Sequence, residues 1–456
     1  MRVRINPGAA LAGSVSMPGD KSIAHRLLIL AATARGRSRL SGLPPSLDVL
    51  SSARCLAEVS LEARPGLDAW AREISAQQEG HGFTWNIRSD RAAPPPLEVE
   101  GKGRTGLIET SRPLDCGNSG TAMRLLAGVL AAAPFRTVLE GDASLSRRPM
   151  ERVAEPLRSM GASVATTDGH APVTVDGGNL SGILYEPPMP SAQLKSAVLL
   201  AGIAAEGQTT VVEAAPTRDH TERALRALGG AVRIEGTGTT VERFQHPGFD
   251  AHVPGDLSSA AFLIAAAALT ASSIEIGGVG LNPTRTRFLD VMERMGVSTQ
   301  KIVEHEILGE PVGTLRVLPG GPLRGTSIPR EELPLVIDEV PVLAALAAHS
   351  KGETWFLGAA ELRLKESDRL QGLSAGVRAL GGHAGDEGDD LVVAGTGLPG
   401  GVAHGGGDHR LAMSFVVASL AADRPCEIDG MEVADVSFPG FLRTLRGLGA
   451  DLELSA

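Results

Sequence analysis

One plan recurs six times along this chain, and that repetition limits its possible folds more than any single motif. Six segments open with turn or capping residues and run into an Ala/Leu-rich stretch. They start at Gly19 (GDKSIAHRLLILAA), Gly117 (GNSGTAMRLLAGVLAA), Pro190 (PSAQLKSAVLLAGIAA), Gly255 (GDLSSAAFLIAAAA), Asp338 (DEVPVLAALAAHS) and Gly407 (GDHRLAMSFVVASLAA). A polar start followed by an apolar body predicts a capped, buried helix. A short strand follows each: SRLSGL, RTVLEG, TTVVEA, SSIEIG, ETWFLG and CEIDGM. Amphipathic second helices follow, as from Glu151, Thr221, Arg287 and Arg443, with apolar residues at three- and four-residue steps. A further strand or strand pair, such as HAPVTVDG or DDLVVAG, completes the unit. Repeats of this size bury their faces only by stacking on one another, so the expectation is an α/β protein made of six βα-type units. The spacing is even except for a surplus between residues 62 and 112. That surplus reads as an inserted loop with one or two strands, FTWNI and PPLEVE.

The length of 456 residues calls for two or three domains. Aromatic residues are 3% of the chain, so its core must be made of Ala, Leu, Val and Ile. The net charge of −10 argues against a nucleic-acid binder. It leaves room for anionic substrates, because a local basic cluster overrides the global sign. Basic residues recur beside the helix starts: Lys21, Arg26, Arg124, Arg148, Lys195, Arg218, Lys365, Arg369 and Arg410. A helix N-terminus carries unpaired N–H groups and partial positive charge. Several such tips meeting in one cleft would hold phosphates and carboxylates; local sequence does not reveal whether they meet.

Nine ordered motifs spanning nearly the whole chain resemble the enolpyruvyl transferase family. They are PGDKSIAHR at Pro18, GNSGTAMRL at Gly117, RPM at Arg148, SAQLKSA at Ser191, TRDHTE at Thr217, NPTRT at Asn282, IDEVP at Ile337, LKESDRL at Leu364 and GGDHRLAMSF at Gly406. GDKS, SAQxK, RDHTE and NxTR together resemble its class II members. The resemblance implies an inverted α/β barrel of two domains with three repeats each: residues 21–246, and residues 1–20 with 247–456. The crossings between them, near Asp20 and Pro247, would form a hinge that closes on substrate.

The resemblance also implies the chemistry: transfer of the enolpyruvyl group of phosphoenolpyruvate to the 5-hydroxyl of shikimate 3-phosphate, without cofactor or metal. Asp338 is similar to the base for that hydroxyl, and Glu366 and Lys21 to the groups that handle the proton at the enol carbon. A carboxylate beside an attacking hydroxyl suits the first role chemically. Its bland alternative is helix capping; for Glu366 it is a salt bridge within KESDR. Lys21, Asn118, Gly120, Arg148, Gln193, Lys365, Arg369 and Arg410 correspond to the phosphoenolpyruvate site. Lys21, Ser22, Arg26, Ser191, Ala192, Gln193, Arg218, Asp338 and Lys365 correspond to the shikimate 3-phosphate site. Ala192 replaces a Ser of other subgroups, and a Lys that many members carry ahead of the last helix is absent, with Val436 and Ser437 standing there. For the inhibitor glyphosate, Gly120 points to sensitivity and the class II motifs to tolerance.

Two rivals remain at this level. UDP-N-acetylglucosamine enolpyruvyl transferases typically show Lys-Asn where this chain has Lys21-Ser22, and use a loop nucleophile not found here. A non-catalytic anion-binding repeat protein would not need Asp338 and Glu366 together. Other motifs carry nothing. The GxGxxG matches at Gly101 and Gly395 open no helix, and GDKS fails the spacing of a phosphate loop. Asp386–Asp390 reads as a solvated turn, and His404, Asp408 and His409 lack zinc spacing. Cys55, Cys116 and Cys426 read as reduced thiols. No signal-peptide stretch opens the chain, and its longest apolar run, residues 260–269, is too short for a bilayer. The expectation is a cytoplasmic monomer.

Overall fold

The computed structural model describes residues 1–79 and 95–455. The six repeat helices are Lys21–Thr33, Gly120–Leu130, Ala192–Gly202, Leu257–Leu269, Val340–Ala347 and His409–Ser419. Five begin on a side-chain cap that accepts a backbone N–H of the first turn: Asp20, Ser119, Ser191, Asp256 and Asp408. The fifth helix has Glu339 at its cap position with no side-chain cap bond. Their bodies are buried on nearly every face, which explains the Ala-rich composition: only small side chains let helices pack on all sides.

The described strands form six sheets, one per repeat. Each has a parallel pair followed by antiparallel neighbours. Repeats one and four exchange strands. Ala12–Ser16, ahead of the first repeat helix, pairs with Ser273–Gly280 of the fourth repeat. Asp250–His252, ahead of the fourth repeat helix, pairs with Arg35–Ser41 of the first. The terminal strand Arg2–Asn6 likewise sits between Cys426–Asp429 and Asp451–Ser455 in the sixth.

Two hydrophobic cores result. One gathers residues from Ile23 to Val253. The other gathers Val3 to Met17 with Leu257 to Leu452. The strand 250–252 pairs with the first repeat, Val253 packs in the first core and Leu257 in the second, with residues 254–256 between them. There the two passages pair: Asp20 N–H donates to Pro254 O at 2.7 Å and Asp256 N–H to Pro18 O at 2.8 Å.

The surplus near residue 62 differs from its sequence reading. Arg64–Glu79 is a helix, and Leu97–Lys102 the strand expected from PPLEVE. Leu67, Trp70, Ala71 and Ile74 are buried along one helical stripe. Pro65 and Gly66 lie in the first turn, where a missing N–H costs nothing. The FTWNI strand lies outside the described residues. The second core also buries six phenylalanines, including Phe262, Phe438 and Phe441, so it is not purely aliphatic. Among the described residues, no helix is long and apolar enough to cross a membrane.

Candidate active site

All six repeat-helix starts converge on one cavity of about 190 Å³ between the two cores. Lys21 and Ser22 come from the first helix; Gly120, Thr121 and Arg124 from the second; Ser191, Ala192 and Gln193 from the third. Asp256 and Ser258 begin the fourth, Ile337 and Asp338 precede the fifth, and His409 and Arg410 open the sixth. Eight Lys or Arg and six Asp or Glu line the cavity, so its local sign opposes that of the whole chain. Oriented helix tips and excess cations in a partly desolvated cleft make an anion site.

Asp338 is the centre of the charge array. Its carboxylate pairs with Arg218 from the first half, with Lys365 at 3.6 Å, and with Arg369 at 3.9 Å. Arg410 Nη1 donates to the Asp338 carbonyl at 2.7 Å. Burial alone would raise this carboxyl, but Arg218, Lys365, Arg410 and Arg369 outweigh it and hold it well below the usual carboxylate range. Glu339, not Asp338, stands at the cap position of the following helix and makes no side-chain cap bond, so the Asp338 carboxylate serves the cavity and not a helix end. Glu366 pairs with Arg369 at 2.6 Å. Burial works against its charge too, and Arg369, His409, Arg148 and Lys21 hold it low. Lys21 Nζ donates to Asp48 Oδ2 at 2.8 Å; burial lowers its proton affinity, but Asp48 more than restores it.

The first-half wall holds guanidinium groups in place through neutral partners. Arg148 Nη2 donates to Asn118 Oδ1 at 2.7 Å. Arg124 donates to Gln193, whose Nε2 donates to Thr121 Oγ1 at 2.8 Å. Burial pushes Arg124 down to about 9, helped by Arg152 and Arg148. Gly120 leaves room for two guanidinium ends: a Cβ there would meet Arg124 Nη1 at 3.0 Å and Arg148 Nη1 at 3.3 Å.

Most sequence-predicted residues line the cavity, and three do not. Arg26 lies behind the wall, where Nη1 donates to the Ser22 carbonyl at 2.8 Å and Nε to Thr221 Oγ1 at 2.8 Å. Asn118 and Arg369 likewise act on cavity residues from behind, the latter with Nη2 on Glu366 Oε2 at 2.6 Å. Val436 and Ser437 do not line the cavity. Sequence reading assigned no role to Asp48, Arg152, Thr284 or Arg285, and placed Arg124 among the basic residues at helix starts without giving it a substrate; all of these line the cavity. For Arg124 the signal was present: it stands four residues after Gly120 on the same helical face. Arg285 joins the two chain passages, with Nη1 at 2.7 Å from Asp20 and Nη2 at 3.2 Å from Asp256. Among the described residues, no cluster of three or more His, Cys, Asp or Glu could hold a metal ion.

Comparison with known proteins agrees with this geometry. A family model described as EPSP synthase (3-phosphoshikimate 1-carboxyvinyltransferase) matches residues 5–78 and 95–445. A 3-phosphoshikimate 1-carboxyvinyltransferase from Halorhodospira halophila is 45% identical over 99% of this chain and 97% of its own length. One from Methylococcus capsulatus is 43% identical over 98% of each chain. The solved EPSP synthase of Acinetobacter baumannii superposes with a TM-score of 0.82, at 38% identity and full coverage of both chains. The enolpyruvyl transferase NikO from Streptomyces tendae, at 18% identity and a TM-score of 0.72, shares the fold.

Proposed function

Since the chain belongs to the EPSP synthase (3-phosphoshikimate 1-carboxyvinyltransferase) family, we propose that this cavity carries out the family's reaction with the residues that line it. The enzyme transfers the enolpyruvyl group of phosphoenolpyruvate to the 5-hydroxyl of shikimate 3-phosphate and releases phosphate. The observation that carries the reading is the meeting of six helix tips, eight basic side chains and the Asp338 carboxylate in one cavity. Neither rival fits as well: the matched relatives act on shikimate 3-phosphate by name, and a passive anion binder gains nothing from Asp338 and Glu366 among its cations.

In this reading Ser22, Ser191, Gln193, the Ala192 backbone and Arg218 hold shikimate 3-phosphate, with Arg26 fixing the Ser22 turn. Arg148, Lys365, Arg410 and the Gly120 backbone hold phosphoenolpyruvate, with Asn118 and Arg369 as supports. Asp338 takes the 5-hydroxyl proton as the oxygen bonds to C2 of phosphoenolpyruvate. Glu366 and Lys21 deliver a proton to C3 and remove one from the resulting methyl group as the C2–phosphate bond breaks. The cations that bind Asp338 in the free enzyme are those the substrate anions attract. As Arg218 and Lys365 turn to phosphate and carboxylate, Asp338 loses its stabilising partners and its basicity rises when the hydroxyl arrives.

The halves hinge where segments 18–20 and 254–256 pair, and close on the substrates. Three buried free cysteines support work in a reducing cytoplasm. Mixing the protein with both substrates and following phosphate release tests the reading. Release that requires both substrates is expected; none, or release from phosphoenolpyruvate alone, would overturn it.

A further inference from the structure

Arg218 stands between two anchors, one in each half of the molecule. On its N-terminal side Thr217 is fixed within the first half: its hydroxyl donates to Glu213 at 2.5 Å and its carbonyl accepts from Lys195 at 3.5 Å. Lys195 is itself buried between Glu213 at 2.7 Å and Glu222 at 2.8 Å. On its C-terminal side Asp219 is fixed by the second half. Asn282 Nδ2 donates to Asp219 Oδ1 at 2.7 Å, and Thr284 Oγ1, whose one hydrogen goes to Asn282 Oδ1, stands 3.2 Å from the same Asp219 oxygen. The amide of Asn282 is fully used: its other hydrogen goes to Glu310 Oε2 at 2.8 Å, and its oxygen accepts from the Thr284 N–H and hydroxyl, each at 2.8 Å. Glu310 in turn lies 2.7 Å from Nδ1 of His220, back in the first half. Asn282, His220 and Glu310 are each under 5% exposed.

We propose that Asn282 is a positioning residue for the reaction, tying Asp219 and Glu310 together so that Arg218 reaches Asp338 in one docked arrangement of the halves. The argument rests on the function proposed above. An apolar seam tolerates many registers of docking. A buried junction of matched donors and charged acceptors tolerates one, because any slip leaves a carboxylate without its donor. Arg218 is joined directly to this junction through the peptide to Asp219, so docking and the placement of its guanidinium are the same event. Arg223, 2.8 Å from Asp219, runs a parallel link to the second half by donating Nη1 to the Gly309 carbonyl at 2.8 Å, but that link does not involve Asn282.

The test is Asn282→Asp, which puts a carboxylate against Asp219 and Glu310. With Arg218 misplaced, kcat/KM for shikimate 3-phosphate should fall on the order of 100-fold, and more than for phosphoenolpyruvate. Compaction seen by small-angle scattering with both ligands should weaken. The ratio of variant to parent activity should recover as pH falls from 8 to 6, because a protonated carboxyl donates again. Thr284→Val, which removes one bond, should raise the KM for shikimate 3-phosphate several-fold with a parental unfolding curve. Parental constants in both variants, or equal losses for both substrates with no recovery at low pH, overturn the proposal. Calorimetric binding of shikimate 3-phosphate by parent and variant separates failure of this junction from failure of the functional reading, which an inactive parent alone would show.

Discussion

The two walls of the cavity are built by the same repeat and carry different chemistry. The first-half wall presents Lys21, Arg124, Arg148, Arg152 and Arg218: Arg124 and Arg148 rest on neutral partners, Lys21 pairs with Asp48 of the same wall, and Arg152 and Arg218 reach across to Glu361 and Asp338. The second-half wall presents Lys365, Arg410 and Arg285 interleaved with Asp256, Asp338, Glu361 and Glu366. A wall whose cations outnumber its own carboxylates grips anions. A wall where carboxylates sit within reach of cations can move protons as that balance shifts. Neither has the full set, so the reacting centre exists only where they meet.

The sharpest way to break that division is Asp338→Asn. It should keep the fold and bind shikimate 3-phosphate at least as well, since a negative charge beside an anion is lost. Turnover should drop by roughly 100- to 10,000-fold, the usual worth of a general base. Weaker binding with normal turnover would place Asp338 among the gripping groups. Arg148→Gln tests the other wall. Losing one charged hydrogen bond, worth about 1.5–3 kcal/mol, should raise the KM for phosphoenolpyruvate about 10- to 100-fold with a smaller change in kcat. A pure kcat effect would contradict the division. The gentlest probe is Gly120→Ala. Its methyl would press on two guanidinium ends, which can shift, so the fold should survive while the KM for phosphoenolpyruvate rises a few-fold. Unchanged affinity would mean that those ends have room to spare.

The repeat helices were legible in sequence because a cap followed by an Ala/Leu body is a local signal. The exchange of Ala12–Ser16 and Asp250–His252 between repeats was not, because strand pairing over such separation leaves no mark in either segment. The segment that holds Arg64–Glu79 reads in sequence as an inserted loop, because it breaks the even repeat spacing, although Leu67, Trp70 and Ile74 keep helical spacing. At the site, the motif residues named the lining well. Which of them touch the cavity and which stand behind it, as Arg26 and Arg369 do, depends on depth along a helix face. Asp48 and Arg285 needed the assembled cavity, since their importance lies in the partners Lys21 and Asp20.

The most direct test of a centre shared by both walls is solvent deuterium entering C3 of phosphoenolpyruvate, followed by NMR on the unaltered enzyme in heavy water. Label should appear when shikimate 3-phosphate is present, because protonation of C3 and loss of a methyl proton then both take place between the closed walls. With phosphoenolpyruvate alone, no label should appear. Exchange of equal rate without the second substrate would contradict the account, since one wall would then carry the proton chemistry by itself.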